Sequence, residues 1–288
     1  MSIKNSLVNW FKFNKSYIAN TLDEHNRFVN QKKYDTRKLY NLVHENASPV
    51  FFLSTGRCGT AWLTEVLNQS KKLDVYHTPV PELIYHSRLP YDNRTDDLKM
   101  VVDVARYEYI RNSFLLNRDY VETNNRVTFF AYQLAELYPK AKFVHIIRNP
   151  HDFIKSGLPR DWYSGNHLHD EGRIIPIIEN INWEDCSLTE KIAWLWMETN
   201  MFITNFGKSI DQSRYHILRS EDLFSNVDTI SKLLEFVQAT DISSRVLKSS
   251  IHHKINSSKI KINPEDIKLD FTENKWINMI ELLKQFNY

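Results

Sequence analysis

Apolar positions fall in short unbroken runs separated by stretches of helical spacing. Val50-Phe51-Phe52-Leu53 is apolar throughout, the pattern of a strand buried on both faces of a parallel sheet. Two glycines, Gly56 and Gly59, interrupt the chain there, and Trp62, Leu63, Val66 and Leu67 resume it at helical spacing. The alternation recurs downstream. Leu73-Asp74-Val75-Tyr76 reads as a short strand, and residues 96–118 as a long helix with Leu98, Val101, Val102, Ala105 and Tyr109 inward. Residues 120–123 read as a strand and 127–138 as a helix; Phe143-Val144-His145-Ile146-Ile147 is the second clear buried strand. A helix begins after Asn149-Pro150, a polar loop occupies 159–182, 183–206 is mostly helical, and Tyr215 to Leu218 is a further strand. Strands alternating with helices predict an α/β fold: one parallel, doubly wound sheet in three α/β/α layers. Residues 1–48 are polar and basic with scattered aromatics, and Thr21 to Glu24 has the capping-box pattern that starts a helix. We read 1–48 as an N-terminal helical extension and 49–288 as one domain, with no linker, repeat or low-complexity segment.

Composition narrows the function classes. Hydrophobic residues make up 42% of 288, enough for a sizeable core. Thirty-seven basic against 35 acidic residues leave a net charge of +2, so no bulk field recruits nucleic acid and any anion site is local. Cys58 and Cys186, the two cysteines, fit no metal-ligand spacing and suit a reducing compartment. No run of 18 apolar residues and no signal-type leader is visible, so the expectation is a cytoplasmic protein without a transmembrane segment. The basic N-terminus leaves contact with a membrane surface open. Of six glycines, two sit in the turn after Leu53.

That turn carries the first chemistry. A strand, a glycine-bearing turn and a helix start gather free backbone N–H groups at the positive end of a helix, a site for a phosphate-like anion. The nucleoside-triphosphatase form ends in Gly-Lys-[Ser/Thr]. Here Gly59 is followed by Thr60, and the cation, Arg57, lies inside the turn. In an open parallel sheet ligands bind beyond the carboxyl ends of strands. A second strand end presents Arg148 with Ser156 eight residues on, a guanidinium fork and a hydroxyl able to converge on one anion. A third presents His77. Two anion sites on one sheet edge suggest a ligand with two phosphate-like groups.

These motifs resemble those of the sulfotransferases that use 3′-phosphoadenosine 5′-phosphosulfate (PAPS). Ser54 to Leu63 resembles their 5′-phosphosulfate loop. Phe143 to Ser156 resembles their 3′-phosphate element, an apolar strand followed by R-[DN]-P-x-D-x-x-x-S, matched at Arg148, Asn149, Pro150, Asp152 and Ser156. Arg219-Ser220-Glu221-Asp222-Leu223 is similar to the R-x-E-D-L after a late strand. The resemblance implies that Thr55, Gly56, Arg57, Cys58, Gly59, Thr60, Ala61 and Trp62 hold the 5′-phosphosulfate, and Arg148 and Ser156 the 3′-phosphate. It further implies sulfuryl transfer to a hydroxyl of a glycan, glycolipid or small acceptor, release of PAP, no metal, and Arg57 as the electrostatic catalyst.

Four departures from the family pattern matter. Cys58 stands where Ser is common, Ala61 where a second Thr often contacts the 5′-phosphate, and His77-Thr78-Pro79 where bacterial members have His-Glu-Pro. Glu122-Thr123-Asn124 occupies the place of a Lys-Thr-His run that holds the catalytic histidine of cytosolic members. A cofactor-closing Gly-rich motif near the C-terminus is not visible, which points to the carbohydrate or bacterial-type branch. Candidate bases are, in order, His77, Glu122 and Glu82. Each has a plain structural reading: His77 as a loop histidine, Glu122 as an ion-pair partner, Glu221 and Asp222 as caps, Trp183, Trp194 and Trp196 as core or groove aromatics, His252-His253 as a solvated face. Two other functions stay open, a small-molecule kinase and a PAPS- or PAP-binding scaffold without turnover.

Overall fold

The structure is a computed structural model that describes residues 3–93, 95–177, 182–243, 245, 247 and 276–288. Five parallel strands, β1 (Val50–Leu53), β2 (Leu73–Tyr76), β3 (Asp119–Glu122), β4 (Lys142–Ile147) and β5 (Tyr215–Arg219), form one sheet in the order β2-β3-β1-β4-β5. β1 lies at the centre, with Val50 opposite both Val121 and Lys142. Helices α1 (Ile3–Gln31) and α2 (Thr36–Asn46) precede it; α3 (Thr60–Leu67), α4 (Leu89–Asp92), α5 (Asp97–Leu115), α6 (Ala131–Leu137), α7 (Pro150–Gly157), α8 (Leu188–Ser209), α9 (Val227–Phe236) and α10 (Ile277–Phe286) follow.

The unbroken apolar runs have a direct cause. Side chains of a strand alternate between faces, and here both faces are covered. Phe51, Leu53, Phe143 and Ile147 join one core cluster with Ile110 of α5, Leu134 of α6, Trp196 and Phe206 of α8 and Met279 of α10. Val50, Phe52, Val144 and Ile146 join the other with Trp62, Leu63, Val66 and Leu67 of α3 and Ile230 and Leu233 of α9. Two helical layers thus sandwich the sheet, the predicted α/β/α arrangement.

The N-terminal helices differ from the sequence expectation. Thr21 starts no helix: α1 runs through it, and its hydroxyl donates to the Tyr17 carbonyl four residues back at 2.9 Å. The break falls at 32–35, and Asp35 caps α2 by accepting from the Lys38 N–H at 2.8 Å. Leu39 and Val43 of α2 are buried in the first core cluster. Arg118 reaches Asp23 of α1 (2.8 and 3.1 Å) and Asp74 of β2 (3.1 Å), tying α1 to the sheet edge.

Two other elements start differently. The helix expected at 127–138 opens as a tight 3₁₀ segment, Asn125–Phe130, because the Asn124 side chain caps it from outside by accepting the Arg126 N–H at 3.1 Å. The helix expected from Trp183 starts at Leu188, where Ser187 and Glu190 form a reciprocal capping box. Of the aromatics, Trp196 and Trp194 are buried core, and Trp183 packs edge-on against Trp194 at 5.2 Å. His252, His253 and the lysines around them lie outside the described residues.

Candidate active site

The turn between β1 and α3 is held open by its own hydrogen bonds. Ser54 and Thr128 exchange two bonds, Ser54 N–H to Thr128 Oγ1 at 3.1 Å and Thr128 Oγ1 to Ser54 O at 3.0 Å. The Gly56 N–H donates to Ser54 Oγ at 3.1 Å. Gly56, Arg57 and Gly59 all have positive φ (79°, 60° and 83°). Gly59 is the N-cap of α3 and supplies no side chain to its first amides. A Cβ at Gly59 would also meet the Phe224 ring at 3.2 Å, so both backbone and space require glycine. Arg57 accepts the left-handed conformation, which for a side-chain-bearing residue costs on the order of 1–2 kcal/mol. Such strain is retained where surrounding contacts enforce it.

The contacts that enforce it come from the second motif. Asn149 caps α7, accepting from the His151 N–H at 3.0 Å, with Pro150 in the first turn. Arg148 at the end of β4 donates Nη1 to the Arg57 carbonyl at 2.7 Å. The Arg57 side chain in turn donates Nε to Ser156 Oγ at 3.1 Å, across 99 residues of sequence. Arg160, one turn past Ser156, donates to the Ser156 carbonyl and, at 3.3 Å, to its hydroxyl. The third motif buttresses the same turn: Glu221 accepts from the Asn149 N–H at 2.8 Å and from the Tyr288 hydroxyl at 2.9 Å, and the Ser220 N–H donates to Ile147 O at 2.7 Å. Trp196 Nε1 donates to the Arg148 carbonyl at 2.7 Å.

Arg57 and Arg160 thus both donate to Ser156, and Arg148, which holds the Arg57 carbonyl, brings a third guanidinium near Arg57. None makes an ion pair with a carboxylate among the described residues. Burial, followed by repulsion from Arg160 and then Arg148, pushes Arg57 below the usual arginine range. Clustered, partly buried like charges disfavour one another, and an anion placed among them relieves that.

The turn opens into a cavity of about 560 Å³, lined by Thr55, Gly56, Arg57, Thr60, His77, Asn125, Arg126, Pro159, Arg160, Asp161, Trp162, His167, His169 and Arg173. Four of the residues expected around the 5′ group, Thr55, Gly56, Arg57 and Thr60, line it. Cys58 and Trp62 do not: both side chains are buried in the core behind the turn, which leaves only their backbone for a ligand. Burial holds the Cys58 thiol up at about 11, and it donates to the Gly56 carbonyl at 3.1 Å. Ala61 is half-buried and Gly59 serves through its backbone alone. Arg148 does not line the cavity but braces the turn, while Ser156 sits behind Arg57.

The candidate bases separate sharply. Glu122, at the end of β3, is fully buried and faces away from the cavity lining. Its carboxylate accepts from Arg106 Nε at 2.7 Å and Nη2 at 2.9 Å and from the Tyr120 hydroxyl at 2.8 Å. The plain ion-pair reading describes it. Glu82 is exposed and outside the lining. His77 lines the cavity, and its Nδ1 lies 2.9 Å from Thr123 Oγ1. The hydrogen-bond chain around the ring favours one tautomer. Thr64 Oγ1 spends its proton on the Thr60 carbonyl (2.8 Å), so it accepts from Thr123 Oγ1 (2.7 Å). Thr123, having donated, accepts from His77 Nδ1–H, and the basic lone pair is on Nε2. Burial lowers the His77 pKa, with the Glu82 charge opposing, so the ring is neutral at pH 7.

Sequence reasoning missed Asn125, Arg126, Arg160, His167, His169 and Arg173. Arg160, His167, His169 and Arg173 lie in the 159–182 loop, which with 77–95 is where an acceptor pocket is expected in this fold, but a loop sequence does not spell out which of its side chains line it. Among the described residues no group of three or more His, Cys, Asp or Glu is placed to hold a metal, and no helix is long and apolar enough to cross a membrane.

With strand order, turn and cavity in view, comparison with known proteins defines the class. The sulfotransferase-domain family matches residues 47–278, and the chain belongs to it. Among solved structures it is similar to the sulfotransferase domain from the curacin biosynthetic pathway, at 14% identity over 85% of this chain and 99% of that one with a TM-score of 0.50. It is also similar to the sulfotransferase domain of the Synechococcus PCC 7002 olefin synthase, at 15% identity over 85% and 96% with a TM-score of 0.51. At these identities the likeness speaks for the fold. No curated protein matches the chain by sequence.

Proposed function

We propose that the protein transfers a sulfuryl group from PAPS to a hydroxyl of an acceptor bound in the 560 Å³ cavity. The observation that carries this reading is the group of three arginines without carboxylate partners among the described residues, Arg57 and Arg160 on Ser156 and Arg148 on the Arg57 carbonyl, adjoining a turn whose Gly59 brings no side chain to the first amides of α3. These residues fit a donor with two anionic groups: the Gly56–Thr60 turn suits one, and Ser156 with Arg148 and Arg160 suits the other. The donor supplies an activated sulfuryl group and a stable bisphosphate leaving group. The chain's own residues do the rest. Arg57 offers a preorganised positive charge where charge builds on the transferring oxygens. His77 Nε2 accepts the acceptor's hydroxyl proton, and Thr123 holds the ring in the required tautomer. We assign Glu122 a structural role. The compartment we favour remains cytoplasmic, in keeping with Cys58 and Cys186 not being joined in a disulfide.

Calorimetric titration with PAP, beside magnesium-ATP, tests the reading on wild type and on Arg57→Gln. One lost charge-assisted contact to phosphate is worth about 1.5–3 kcal/mol, roughly 10- to 150-fold in Kd. Selective binding of PAP, weakened by that factor in the variant, supports the reading. Preference for magnesium-ATP refutes it in favour of a kinase.

A further inference from the structure

The cavity holds more positive charge than its donor side uses. Its arginines fall into two groups. Arg57 and Arg160 converge on Ser156, with Arg148 holding the Arg57 carbonyl, whereas Arg126 and Arg173 line the cavity apart from them and near enough to repel each other, and Arg126 shares with His77 the influence of Glu82. The second group is a built structure. Gly172 packs so closely that a Cβ would fall 1.9 Å from the Ile84 carbonyl oxygen, and Ser87 Oγ donates to the Gly172 carbonyl at 3.0 Å. The next residue, Arg173, is thereby fixed. Its guanidinium lies over the Trp162 ring at 4.3 Å and pairs through Nε with Asp170 Oδ1 at 2.8 Å. Asp170 offsets Arg173. Arg126 has no such partner: its guanidinium is half-buried and makes no hydrogen bond or ion pair among the described residues. Glu82 is exposed and beyond ion-pair distance, and Asp161, the one carboxylate in the lining, is engaged by the Asn166 amide at 2.8 Å. Burial first, then Arg173, pushes Arg126 below the usual arginine range, and the Glu82 charge only partly opposes them.

We propose that Arg126, supported by Arg173, is a subsite for an anionic group carried by the acceptor, a carboxylate or a phosphate, that seats the acceptor hydroxyl toward His77. This rests on the sulfuryl-transfer reading. It narrows the acceptor from any hydroxyl compound to one that is itself an anion, and it assigns specificity to a residue outside every motif of the donor site.

The test uses ligand-observed NMR on the full chain saturated with PAP, with 4-hydroxybenzoate and its neutral partner 4-hydroxybenzamide as probes; 4-hydroxyphenyl phosphate separates a phosphate preference from a carboxylate one. Wild type is expected to bind an anionic probe at least tenfold tighter than the amide. In Arg126→Met that preference collapses while PAP affinity stays within twofold. Equal binding of the anions and the amide, or no binding of any of them, overturns the proposal, as does a loss of PAP affinity in Arg126→Met comparable with that in Arg57→Gln. Failure of wild type to bind PAP overturns the donor reading alone. The probes are then compared on the protein without PAP, under the same tenfold criterion.

Discussion

Replacing Glu122 by alanine separates a catalytic carboxylate from a structural one. The Arg106 and Glu122 side chains are both fully buried and joined at 2.7 and 2.9 Å, with the Tyr120 hydroxyl as a third partner at 2.8 Å. Arg106 also donates Nη1 to the Pro81 carbonyl at 2.8 Å, so the pair anchors the loop that leaves His77. Glu122→Ala leaves a buried guanidinium without its counter-charge and a buried phenol without its acceptor. Breaking a buried pair from one side costs about 3–5 kcal/mol. With a urea m-value near 3 kcal/mol/M for a chain of this length, the unfolding midpoint falls by about 1–1.7 M. Replacing both partners by apolar residues, Arg106→Met with Glu122→Leu, removes the orphaned charge, and the double variant recovers most of the loss. Urea unfolding followed by fluorescence gives the midpoints, and turnover of the folded fraction gives the activity. A Glu122→Ala protein that unfolds at the wild-type midpoint but loses 10²-fold or more in kcat would refute the structural assignment, since that is the signature of a lost general base. So would a folded double variant without turnover.

Two pH predictions accompany it. If neutral His77 is the base, kcat/KM rises with pH along a limb centred below 6.5, because burial lowers the His77 pKa. Thr123→Val, which removes the acceptor of Nδ1–H, lowers kcat by about tenfold and moves that limb, whereas a purely structural Thr123 would leave the limb in place. His145 of β4 is buried between the Tyr215 hydroxyl (3.0 Å) and Asn200 Oδ1 (2.9 Å), and burial lowers its pKa from 6.5 to about 4. The unfolded chain therefore binds the extra proton between those values, and stability contributed at neutral pH is lost as pH falls from 6.5 toward 4. The loss approaches about 3 kcal/mol, absent from His145→Gln. Equal pH slopes for the two proteins would sink that assignment.

The strands and the two phosphate-type motifs were legible because they are local. A run such as Val50-Phe51-Phe52-Leu53, four residues long and followed by a glycine turn, suits a strand covered on both faces better than a helix, and β2 has the bounds read from Leu73 and Tyr76. The Gly56 and Gly59 spacing announces a tight strand-to-helix turn whatever surrounds it. Thr21 misled for the same reason: a capping box specifies a start only if the preceding residues are not already helical, and α1 runs through it.

What the sequence left open concerns groups distant in sequence but close in space. The sequence ranks His77 ahead of Glu122 as a base and offers an ion-pair role for Glu122, but nothing in the order of residues shows that Arg106 is the partner that closes on Glu122 or that Thr123 bonds His77. Arg57 and Ser156 belong to separate motifs, and their 3.1 Å contact arises because β1 and β4 are neighbours in the sheet. Arg126 and Arg173 had no pattern at all. Their significance is an electrostatic one, a half-buried charge with no partner beside a cavity, and burial and proximity are properties that only the folded chain possesses.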